Sequence, residues 1–329
     1  MLLPLVSPGN RPIHYLRISV TDRCDMRCLY CMPAGGMPFM PSDTYLTDDE
    51  IVRIVRIAAD MGVHKIRLTG GEPLLRPGIV DLIQAVSSTQ GIRDVALSTN
   101  ASNLERYAER LARAGLKRIN VSLDTLDARQ FREITRGGSL ARTLAGLDAA
   151  EKAGLTPIKI NTVVIRGLND KQIPAMLDMG LKRNWQVRFI EYMPIGSSRA
   201  RWDDQYMPAE EILERLMQAY PLEELPMKDG APARLYRIAG SEATVGVITP
   251  VSRHFCDTCN RLRVTADGII RSCLLVKGEA DLRTLMRAGG TDEDLAKLLA
   301  QAAALKPEWH GVGRGCRSEA TDAMREIGG

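Results

Sequence analysis

The stretch YLRISVTDRCDMRCLYC, residues 15–31, decides the fold expected for this chain. It opens with a strand pattern at residues 15–20. It closes with three cysteines in C-x3-C-x2-C spacing, Cys24, Cys28 and Cys31. Cubane iron–sulfur clusters take four ligands, usually four thiolates, so a triplet leaves one iron open. We expect that iron to hold a small molecule, directly after the first strand of the fold.

A second cysteine triplet stands near the other end of the sequence. Its members are Cys256, Cys259 and Cys273, in C-x2-C-x13-C spacing. The triplet predicts a second open cluster. Cys-x2-Cys pairs are also typical of zinc sites, for which His254 or Cys316 could supply the fourth ligand. Disulfides are not expected, because the cysteine count of seven is odd and no secretory segment is visible.

From residue 15 to residue 192, strand patterns alternate with helix patterns. Strands are predicted at residues 15–20, 63–69, 95–99, 118–123, 158–164 and 185–191. Helices are predicted between them at residues 48–61, 76–87, 103–114, 140–153 and 171–180. Such alternation is typical of a parallel sheet with right-handed crossovers, and six units are two short of an eightfold barrel. We therefore expect an α/β fold, a partial (βα)6 barrel of the TIM type, with its active site at the carboxyl ends of the strands.

After about residue 193 the pattern changes to short elements. A loop is predicted at 196–207 and a helix at 208–220. Short strands are predicted at residues 235–239, 244–248, 262–265 and 269–273, the last two joined by the turn signal Ala266-Asp267-Gly268. Two more helices are predicted at 280–287 and 293–305. These elements predict a smaller α+β domain around the second triplet, and we place the domains at residues 1–225 and 226–329.

Composition and charge argue against several classes of protein. With 45% hydrophobic and 26% charged residues, the chain resembles an ordinary globular protein. A net charge of +4 does not indicate a general nucleic-acid-binding surface. No apolar run approaches the roughly 18 residues of a membrane span. We expect a cytoplasmic protein, since the reducing cytosol keeps thiolates available for iron.

Cations occupy positions in strands that should be almost wholly apolar. They are Arg17, Arg67, Lys159 and Arg188. Polar residues follow three of them at period two, which places both on one face of the strand. If that face lines the barrel, the cations converge on one cavity and predict a polyanionic ligand such as a nucleotide triphosphate. The alternative is that they form structural ion pairs with Asp124, Glu72 and Glu191.

Two further features are weak by themselves. Arg261 and Arg263 alternate beside Cys259, so both point to one face of a strand, although alone they would indicate a solvated strand edge. Gly70-Gly71 closes the second strand, and paired glycines let a backbone approach a ligand closely. Neither feature identifies a ligand without its neighbours.

Together these motifs resemble two known groups of proteins. The first triplet, with Tyr30 before its third cysteine, and the segment Gly70-Gly71-Glu72-Pro73 resemble the radical S-adenosylmethionine superfamily. The segments FCDTCNRLR, TADG and RSCL, at residues 255–263, 265–268 and 271–274, resemble the GTP 3′,8-cyclase family of molybdenum cofactor (molybdopterin) biosynthesis. The segment FIEYMPIG at 189–196 and the final Gly-Gly also fit. The resemblance extends from about residue 11 to residue 329.

The resemblance implies two [4Fe–4S] clusters, each held by one cysteine triplet, together with S-adenosylmethionine. Residues implied to bind S-adenosylmethionine are Tyr30, Gly71, Glu72, Ser122 and Met193. Residues implied to bind GTP are Arg17, Arg67, Thr99, Lys159, Arg188, Arg261, Leu262 and Arg263. Residues implied to be catalytic are Arg261, Arg263, Gly328 and Gly329, the last two as a tail that reaches towards the active site.

The implied reaction converts GTP to (8S)-3′,8-cyclo-7,8-dihydroguanosine 5′-triphosphate. A 5′-deoxyadenosyl radical would take hydrogen from ribose C3′, and C3′ would then bond to C8 of guanine. The implied partners are an external one-electron reductant and a downstream cyclic pyranopterin monophosphate synthase that acts on the product. The chain is expected to be a monomer or homodimer, without nucleic-acid or membrane partners.

Two details depart from the family pattern, and two rival functions stay open. Ala101 stands where the family usually has glycine, and Cys316 has no counterpart and is interpreted as a spare thiol. One rival is another two-cluster radical enzyme, such as a peptide-modifying maturase, although such enzymes tend to carry more C-terminal cysteines. The other is a non-catalytic electron carrier or zinc-binding module, which would need neither a cavity nor six strand–helix units.

Overall fold

Strands and helices alternate through the first 191 residues, as the sequence predicts. The computed structural model describes residues 2–195, 202–227, 230–312 and 324–328. Two short strands, β1 (Val6–Ser7) and β2 (Arg11–Pro12), pair with each other outside the main sheet. The predicted strands follow as β3 (Tyr15–Ser19), β4 (Lys65–Thr69), β5 (Asp94–Thr99), β6 (Arg118–Ser122), β7 (Lys159–Val164) and β8 (Gln186–Glu191). The accompanying helices are α1 (Asp48–Asp60), α2 (Ile79–Ser87), α3 (Leu104–Arg113), α4 (Ala128–Thr135), α5 (Leu140–Lys152) and α6 (Ile173–Arg183).

Helix ends follow the signals in the sequence. The Thr47 hydroxyl accepts the Glu50 N–H at 3.1 Å, and the Glu50 carboxylate accepts the Thr47 N–H at 2.8 Å, which forms a capping box before α1. Gly62, Gly115 and Gly154 have φ values of 95°, 94° and 74°, so they end three helices in the left-handed conformation. Local signals of this kind predict where a helix begins and ends without knowledge of the packing.

The helix α4 was not predicted. It begins after Asp127, whose side chain accepts the Gln130 N–H at 2.7 Å. Its buried apolar side chains are Phe131 and Ile134. Only three of its eight residues are apolar, Ala128, Phe131 and Ile134, which is too few to establish a helical period, so the sequence pattern could not distinguish this helix from a loop.

The C-terminal half contains the predicted short elements. Its helices are α7 (Trp202–Gln205), α8 (Ala209–Ala219), α9 (Leu282–Arg287) and α10 (Asp292–Ala304). Its strands are β9 (Leu222–Glu224), β10 (Ala233–Ile238), β11 (Thr244–Ile248), β12 (Arg261–Val264), β13 (Ile269–Arg271) and β14 (Ala280–Asp281). The antiparallel pairs β10–β11 and β12–β13 are confirmed. The loop predicted at 196–207 is wrong for residues 202–205, which form α7, and residues 196–201 lie outside the described residues.

The C-terminal strands extend the parallel sheet at both edges. The sheet has the order β14-β13-β12-β3-β4-β5-β6-β7-β8-β11-β10-β9. The strand β12 pairs in parallel with β3, and β11 pairs in parallel with β8. Parallel pairing is therefore continuous from β12 through β3–β8 to β11, with antiparallel strands outside. The fold is α/β with a mostly parallel sheet, whereas the domain boundary at residue 225 stays a prediction.

The two faces of the sheet differ in chemistry. In β7 and β8 the buried residues include Ile160, Val187 and Phe189, which belong to the main hydrophobic core. The alternate residues include Lys159 and Arg188, which line a cavity instead. Period-two alternation therefore separates an apolar core from a charged interior. Along the described residues, no helix has the length and apolar character needed to cross a membrane.

Candidate functional site

A cavity of about 760 Å³ lies on the charged face of the sheet. Its volume is in the range of small-molecule sites. All six cysteines of the two triplets line it. Its cationic lining includes Arg17, Arg67, Lys159, Arg188, Arg261 and Arg263, and its other predicted residues are Tyr30, Gly71, Thr99, Ser122 and Met193. Glu72 and Leu262 are fully buried in the surrounding structure.

The two triplets lie at opposite ends of one strand pair. In the parallel register of β12 and β3, Arg261 is opposite Tyr15. Cys259 precedes β12 and therefore lies at the amino end of the pair, whereas Cys24 follows β3 at the carboxyl end. Five strand residues at about 3.3 Å each separate these ends by about 15 Å. The cavity can therefore place different ligands against the two triplets.

The cavity continues to the amino ends of the strands, beyond the carboxyl-end site that the sequence predicts. His14, Lys65 and Arg118 line it there. The Tyr15 ring lies beneath two cations, with its centroid 4.8 Å from the Lys65 ammonium and 5.8 Å from the Arg67 guanidinium. Sequence reasoning missed Tyr15, because an aromatic residue at the start of a strand normally indicates only core packing.

The first triplet has the chemistry of a cluster site. Its thiols are free and half-buried. The Met26 N–H donates to the Cys24 sulfur at 3.4 Å, and the Cys31 N–H donates to the Cys28 carbonyl at 2.9 Å. Burial raises the pKa of Cys24 to about 12 and that of Cys31 to about 11, so iron must displace protons from these thiols. Three convergent thiols on a turn fit a [4Fe–4S] cluster with one open iron.

The second triplet has a more cationic environment. The Leu275 N–H donates to the Cys273 sulfur at 3.5 Å. Burial alone would raise the pKa of Cys259, but the charges of Arg261 and Lys306 outweigh it and lower that pKa to about 6. A thiolate therefore forms at neutral pH, which suits a ligand of a metal cluster.

The zinc interpretation of the second triplet rested on a fourth ligand. His254, one candidate for that ligand, packs beside Trp309, with 6.2 Å between the ring centroids. Cys316, the other candidate, lies outside the described residues. Among the residues that the structure describes, no three His, Cys, Asp or Glu side chains are grouped as one metal ion requires. The thiols of Cys256, Cys259 and Cys273 are nonetheless free and face the cavity.

The carboxylates considered as partners of the strand cations bind other groups. Glu72 accepts the Thr99 hydroxyl at 2.7 Å, and Asp124 accepts the Tyr30 hydroxyl at 2.7 Å. Glu191 accepts backbone N–H groups from two later segments at 2.8 Å. These hydrogen bonds account for the three carboxylates without the strand cations.

The cations therefore repel one another inside the cavity. Burial and the charge of Arg188 lower the pKa of Lys159 to about 6, and burial and neighbouring cations lower that of Arg188 to about 10. Within the described residues, Arg67 Nε and the side-chain oxygens of Asn120 and Asn161 are buried without a hydrogen-bond partner. Buried polar atoms are normally paired, so these atoms indicate a polar ligand. Arg67 and the other cations supply donors that fit a polyanion, whereas the two asparagine oxygens are acceptors and would pair with N–H or O–H groups of the same ligand.

The glycine pair after β4 is required first by the chain itself. The Gly71 N–H donates to the Thr21 carbonyl at 2.8 Å. A Cβ atom on Gly71 would lie 2.7 Å from the carbonyl carbon of Arg23, which is closer than real Cβ contacts allow. From the sequence, the glycine pair is predicted to let a ligand come close to the backbone. In the structure, the group that lies close to Gly71 is the backbone of residues 21–23. Gly71 still lines the cavity.

Ala101 adopts the left-handed conformation that glycine favours, with φ of 61°. It remains compatible with Thr99, because the Ala101 N–H donates to the Thr99 hydroxyl at 2.9 Å. A left-handed conformation costs an L-residue about 1–2 kcal/mol, partly offset here by burial of its methyl group. We predict that Ala101→Gly raises the free energy of unfolding by about 0.5–1 kcal/mol, measured by urea denaturation. A clearly lower free energy of unfolding for Ala101→Gly would contradict the interpretation that the Ala101 backbone is strained.

The described part of the C-terminal tail reaches the cavity wall. The guanidinium of Arg263 donates to the Gly328 carbonyl at 3.0 Å. A Cβ atom on Gly328 would lie 3.0 Å from side-chain atoms of Ser19 and Thr69, at the carboxyl ends of β3 and β4. The predicted position of the tail therefore has a structural counterpart at Gly328, whereas Gly329 lies outside the described residues.

Arg325 holds this tail against the rest of the structure. The sequence analysis did not identify this residue. Its side chain is 1% exposed and donates to the Pro38 carbonyl at 2.7 Å. It also lies 4.8 Å from the Phe39 ring centroid and 3.8 Å from the Asp22 carboxylate. These partners lie before and after the first triplet in sequence. A single arginine near a chain end carries no sequence signal for such burial.

Comparison with solved structures identifies the fold. The crystal structure of Streptococcus suis SuiB is similar with a TM-score of 0.58 at 16% identity, covering 91% of this chain and 67% of that one. SuiB bound to S-adenosylmethionine is similar with a TM-score of 0.55 at 16% identity, covering 83% and 65%. At this identity the likeness shows the fold alone.

Comparison with sequences identifies the family. The Radical SAM superfamily matches residues 18–180, and Molybdenum Cofactor Synthesis C matches residues 185–312. The GTP 3′,8-cyclase of Hydrogenovibrio crunogenus is 45% identical over 94% of each chain. Those of Moorella thermoacetica and Pelotomaculum thermopropionicum are 45% and 47% identical over 97% of this chain and 98% of theirs. This chain therefore belongs to the GTP 3′,8-cyclase family of the radical S-adenosylmethionine superfamily.

Proposed function

We propose that this chain converts GTP to (8S)-3′,8-cyclo-7,8-dihydroguanosine 5′-triphosphate, the first step of molybdenum cofactor biosynthesis. The observation that carries the proposal is a cation-lined cavity with a cysteine triplet at each end. An electron carrier or zinc module does not need that cavity. A peptide substrate does not need so many buried cations, because a peptide backbone carries no phosphates.

The residues divide into three groups by position. Cys24, Cys28 and Cys31 would hold the first cluster, with Tyr30, Gly71, Ser122 and Met193 around S-adenosylmethionine and Glu72 shaping its pocket. Cys256, Cys259 and Cys273 would hold the second cluster, whose open iron would face the guanine base. Arg17, Arg67, Thr99, Lys159, Arg188, Arg261, Leu262 and Arg263 would surround GTP or form the adjoining wall.

The chain's own task is to bind, orient and shield. When bound, the first cluster and S-adenosylmethionine would supply a 5′-deoxyadenosyl radical that takes hydrogen from ribose C3′, and C3′ would then bond to C8 of guanine. One electron from the external reductant and one proton would complete the dihydro product. The strand cations hold the triphosphate, which fixes the ribose between the two ends of the cavity. Arg263 holds the Gly328 carbonyl, so the tail helps to close the cavity against water.

The remaining parts of the proposal concern architecture and partners. The six consecutive strand–helix units would form a partial (βα)6 barrel, with residues 1–225 and 226–329 as its two domains. The chain would act in the cytoplasm as a monomer or homodimer. An external one-electron reductant would supply electrons, and a cyclic pyranopterin monophosphate synthase would act on the product.

One anaerobic experiment tests the function. The chain is reconstituted with iron and sulfide, its iron is counted, and dithionite, S-adenosylmethionine and GTP are added. We expect about eight irons per chain, 5′-deoxyadenosine and an isomer of GTP by mass spectrometry. Deoxyadenosine without the isomer would reject GTP as the substrate. Zinc with neither product would support the non-catalytic alternative.

Binding of GTP should take up a proton at Lys159. The pKa of Lys159 is about 6 in the ligand-free cavity, so the amine is mostly neutral at pH 7.5. A triphosphate favours the ammonium form, and the affinity for GTP should therefore fall as pH rises above 6, by up to about tenfold per pH unit.

Calorimetry in buffers of different ionisation enthalpy measures this proton uptake. The terminal phosphate of GTP also titrates, so the informative quantity is the difference between proteins. Lys159→Met should take up fewer protons than the wild type, whereas Lys297→Met, at an exposed position on α10, should not differ. Equal uptake by Lys159→Met and the wild type would refute the coupling.

A further inference from the structure

Lys306 is a buried cation beside the second triplet that the proposed reaction does not use. It lies two residues after the end of α10 and is 3% exposed. Its ammonium donates to the Ser272 carbonyl at 2.7 Å and to the Arg261 carbonyl at 2.9 Å. It also lines the cavity together with Cys259 and Cys273. An ammonium has three N–H donors, so these two carbonyls leave one donor for the cavity.

Both acceptors belong to the segments that carry ligands of the second triplet. Ser272 directly precedes Cys273, and Arg261 begins β12 two residues after Cys259. One ammonium therefore connects the start of β12 with the end of the β12–β13 hairpin. The connecting side chain is a lysine that sequence reasoning would place on the surface.

The charge of Lys306 lies close to the second triplet. Burial lowers the pKa of Lys306, while the charges of Cys259 and Cys273 act against burial and the charge of Arg261 acts with it. A buried ammonium costs several kcal/mol unless an opposite charge is close. Cys259 and Cys273, which line the same cavity, supply that opposite charge as thiolates.

We propose that Lys306 is a positioning residue that raises the reduction potential of the second cluster and fixes the spacing of Cys259 and Cys273. The inference rests on the proposed function only in taking the second triplet as a cluster site. A positive charge near the ligand thiolates stabilises the reduced, more negative form of an iron–sulfur cluster. Lys306 would therefore make the cluster at the substrate end of the cavity easier to reduce.

The test removes the first cluster so that one signal remains. The full chain carrying Cys24→Ala, Cys28→Ala and Cys31→Ala is reconstituted with iron and sulfide. It is then titrated anaerobically with a reductant while electron paramagnetic resonance records the reduced cluster. The same chain with Lys306→Met, Lys306→Gln or Lys306→Arg is measured beside it. Lys297→Met is the matched control, because Lys297 lies on α10 with its side chain 72% exposed.

We expect Lys306→Met and Lys306→Gln to disfavour reduction by about tenfold, a fall of about 59 mV in the midpoint for one electron. Lys306→Arg should keep the midpoint close to that of the parent, because it keeps the positive charge. Lys297→Met should have the same midpoint as the parent. A purely structural role would change iron content or stability without an ordered shift in midpoint. If the charge-free variants hold no cluster while Lys306→Arg does, the requirement for charge is supported through cluster retention.

Two results would overturn the inference, and they are distinguishable. Four irons at the parent midpoint in both charge-free variants, or loss of the cluster in all three variants, would reject the electrostatic role of Lys306 alone. Failure of the parent to bind any iron–sulfur cluster would reject the second-cluster assignment as well, and with it the proposed function.

Discussion

Cys24→Ala should abolish the reductive cleavage of S-adenosylmethionine. Cys24 follows β3, and its sulfur accepts the Met26 N–H at 3.4 Å. A cubane with only two remaining thiolates cannot present one open iron to the substrate and stay bound. We expect iron content to fall from about eight to about four per chain, since the second triplet lies at the other end of the strand pair and is independent. Formation of 5′-deoxyadenosine should fall to the level of the iron-free protein.

The seventh cysteine supplies the control for this experiment. Cys316 belongs to neither triplet in sequence, so Cys316→Ala should keep the full iron content and the full cleavage activity. Cys24→Ser separates ligand loss from loss of volume, because a serine hydroxyl is a poor substitute for a thiolate. Cleavage by Cys24→Ala at a rate comparable with the wild type would mean that the first triplet does not hold the cluster that reacts.

The parallel units and their ends could be predicted because the signals are local. Apolar periodicity predicts the strands β3–β8, and Thr47, Gly62 and Gly115 predict helix ends from residues within one turn. The cysteine spacing likewise carries the chemistry of the site in a few neighbouring residues. The prediction that strand cations share one face follows from period two and is confirmed by their common cavity.

The relation between the two halves could not be predicted, because it depends on pairing between distant residues. The register of β12 against β3 joins Arg261 to Tyr15, about 250 residues apart, and no turn or spacing signals it. That pairing places the triplets at opposite ends of the cavity. Lys306 and Arg325 are likewise buried against residues distant in sequence, although each appears in sequence as an isolated surface cation.

Glycine and alanine positions show a second limit of sequence reasoning. Gly71 can be predicted to permit a close approach, but only the structure identifies the approaching group as the backbone of residues 21–23. Ala101 can be predicted to tolerate its position unless φ is positive, and the structure gives φ of 61°. Conformational demands of this kind arise from packing around a residue rather than from the residue itself.

Arg261→Ala and Arg263→Ala should each lose the cyclised product while the cleavage of S-adenosylmethionine continues. Both guanidinium groups are buried on the cavity wall, with Arg261 opposite Tyr15 at the amino end of the strand pair and Arg263 opposite Arg17. Loss of a preorganised donor to charge on a substrate typically costs about 100-fold or more. We expect the GTP isomer to fall by about that factor, while uncoupled 5′-deoxyadenosine remains near the wild-type level.

The two arginines should fail for different reasons, and this difference tests the geometry. Arg261 lies 5.0 Å from the Phe255 ring, and its charge lowers the pKa of Cys259 against the effect of burial, so its loss should also alter the spectrum of the second cluster. Arg263 holds the Gly328 carbonyl, so its loss should free the tail and increase its cleavage by carboxypeptidase. Arg113→Ala is the control, because that side chain is 72% exposed and its ion pair contributes little. A normal yield of cyclic product from the Arg261→Ala/Arg263→Ala double variant would show that neither arginine takes part in cyclisation. The assignment of both residues to the substrate site would then be wrong.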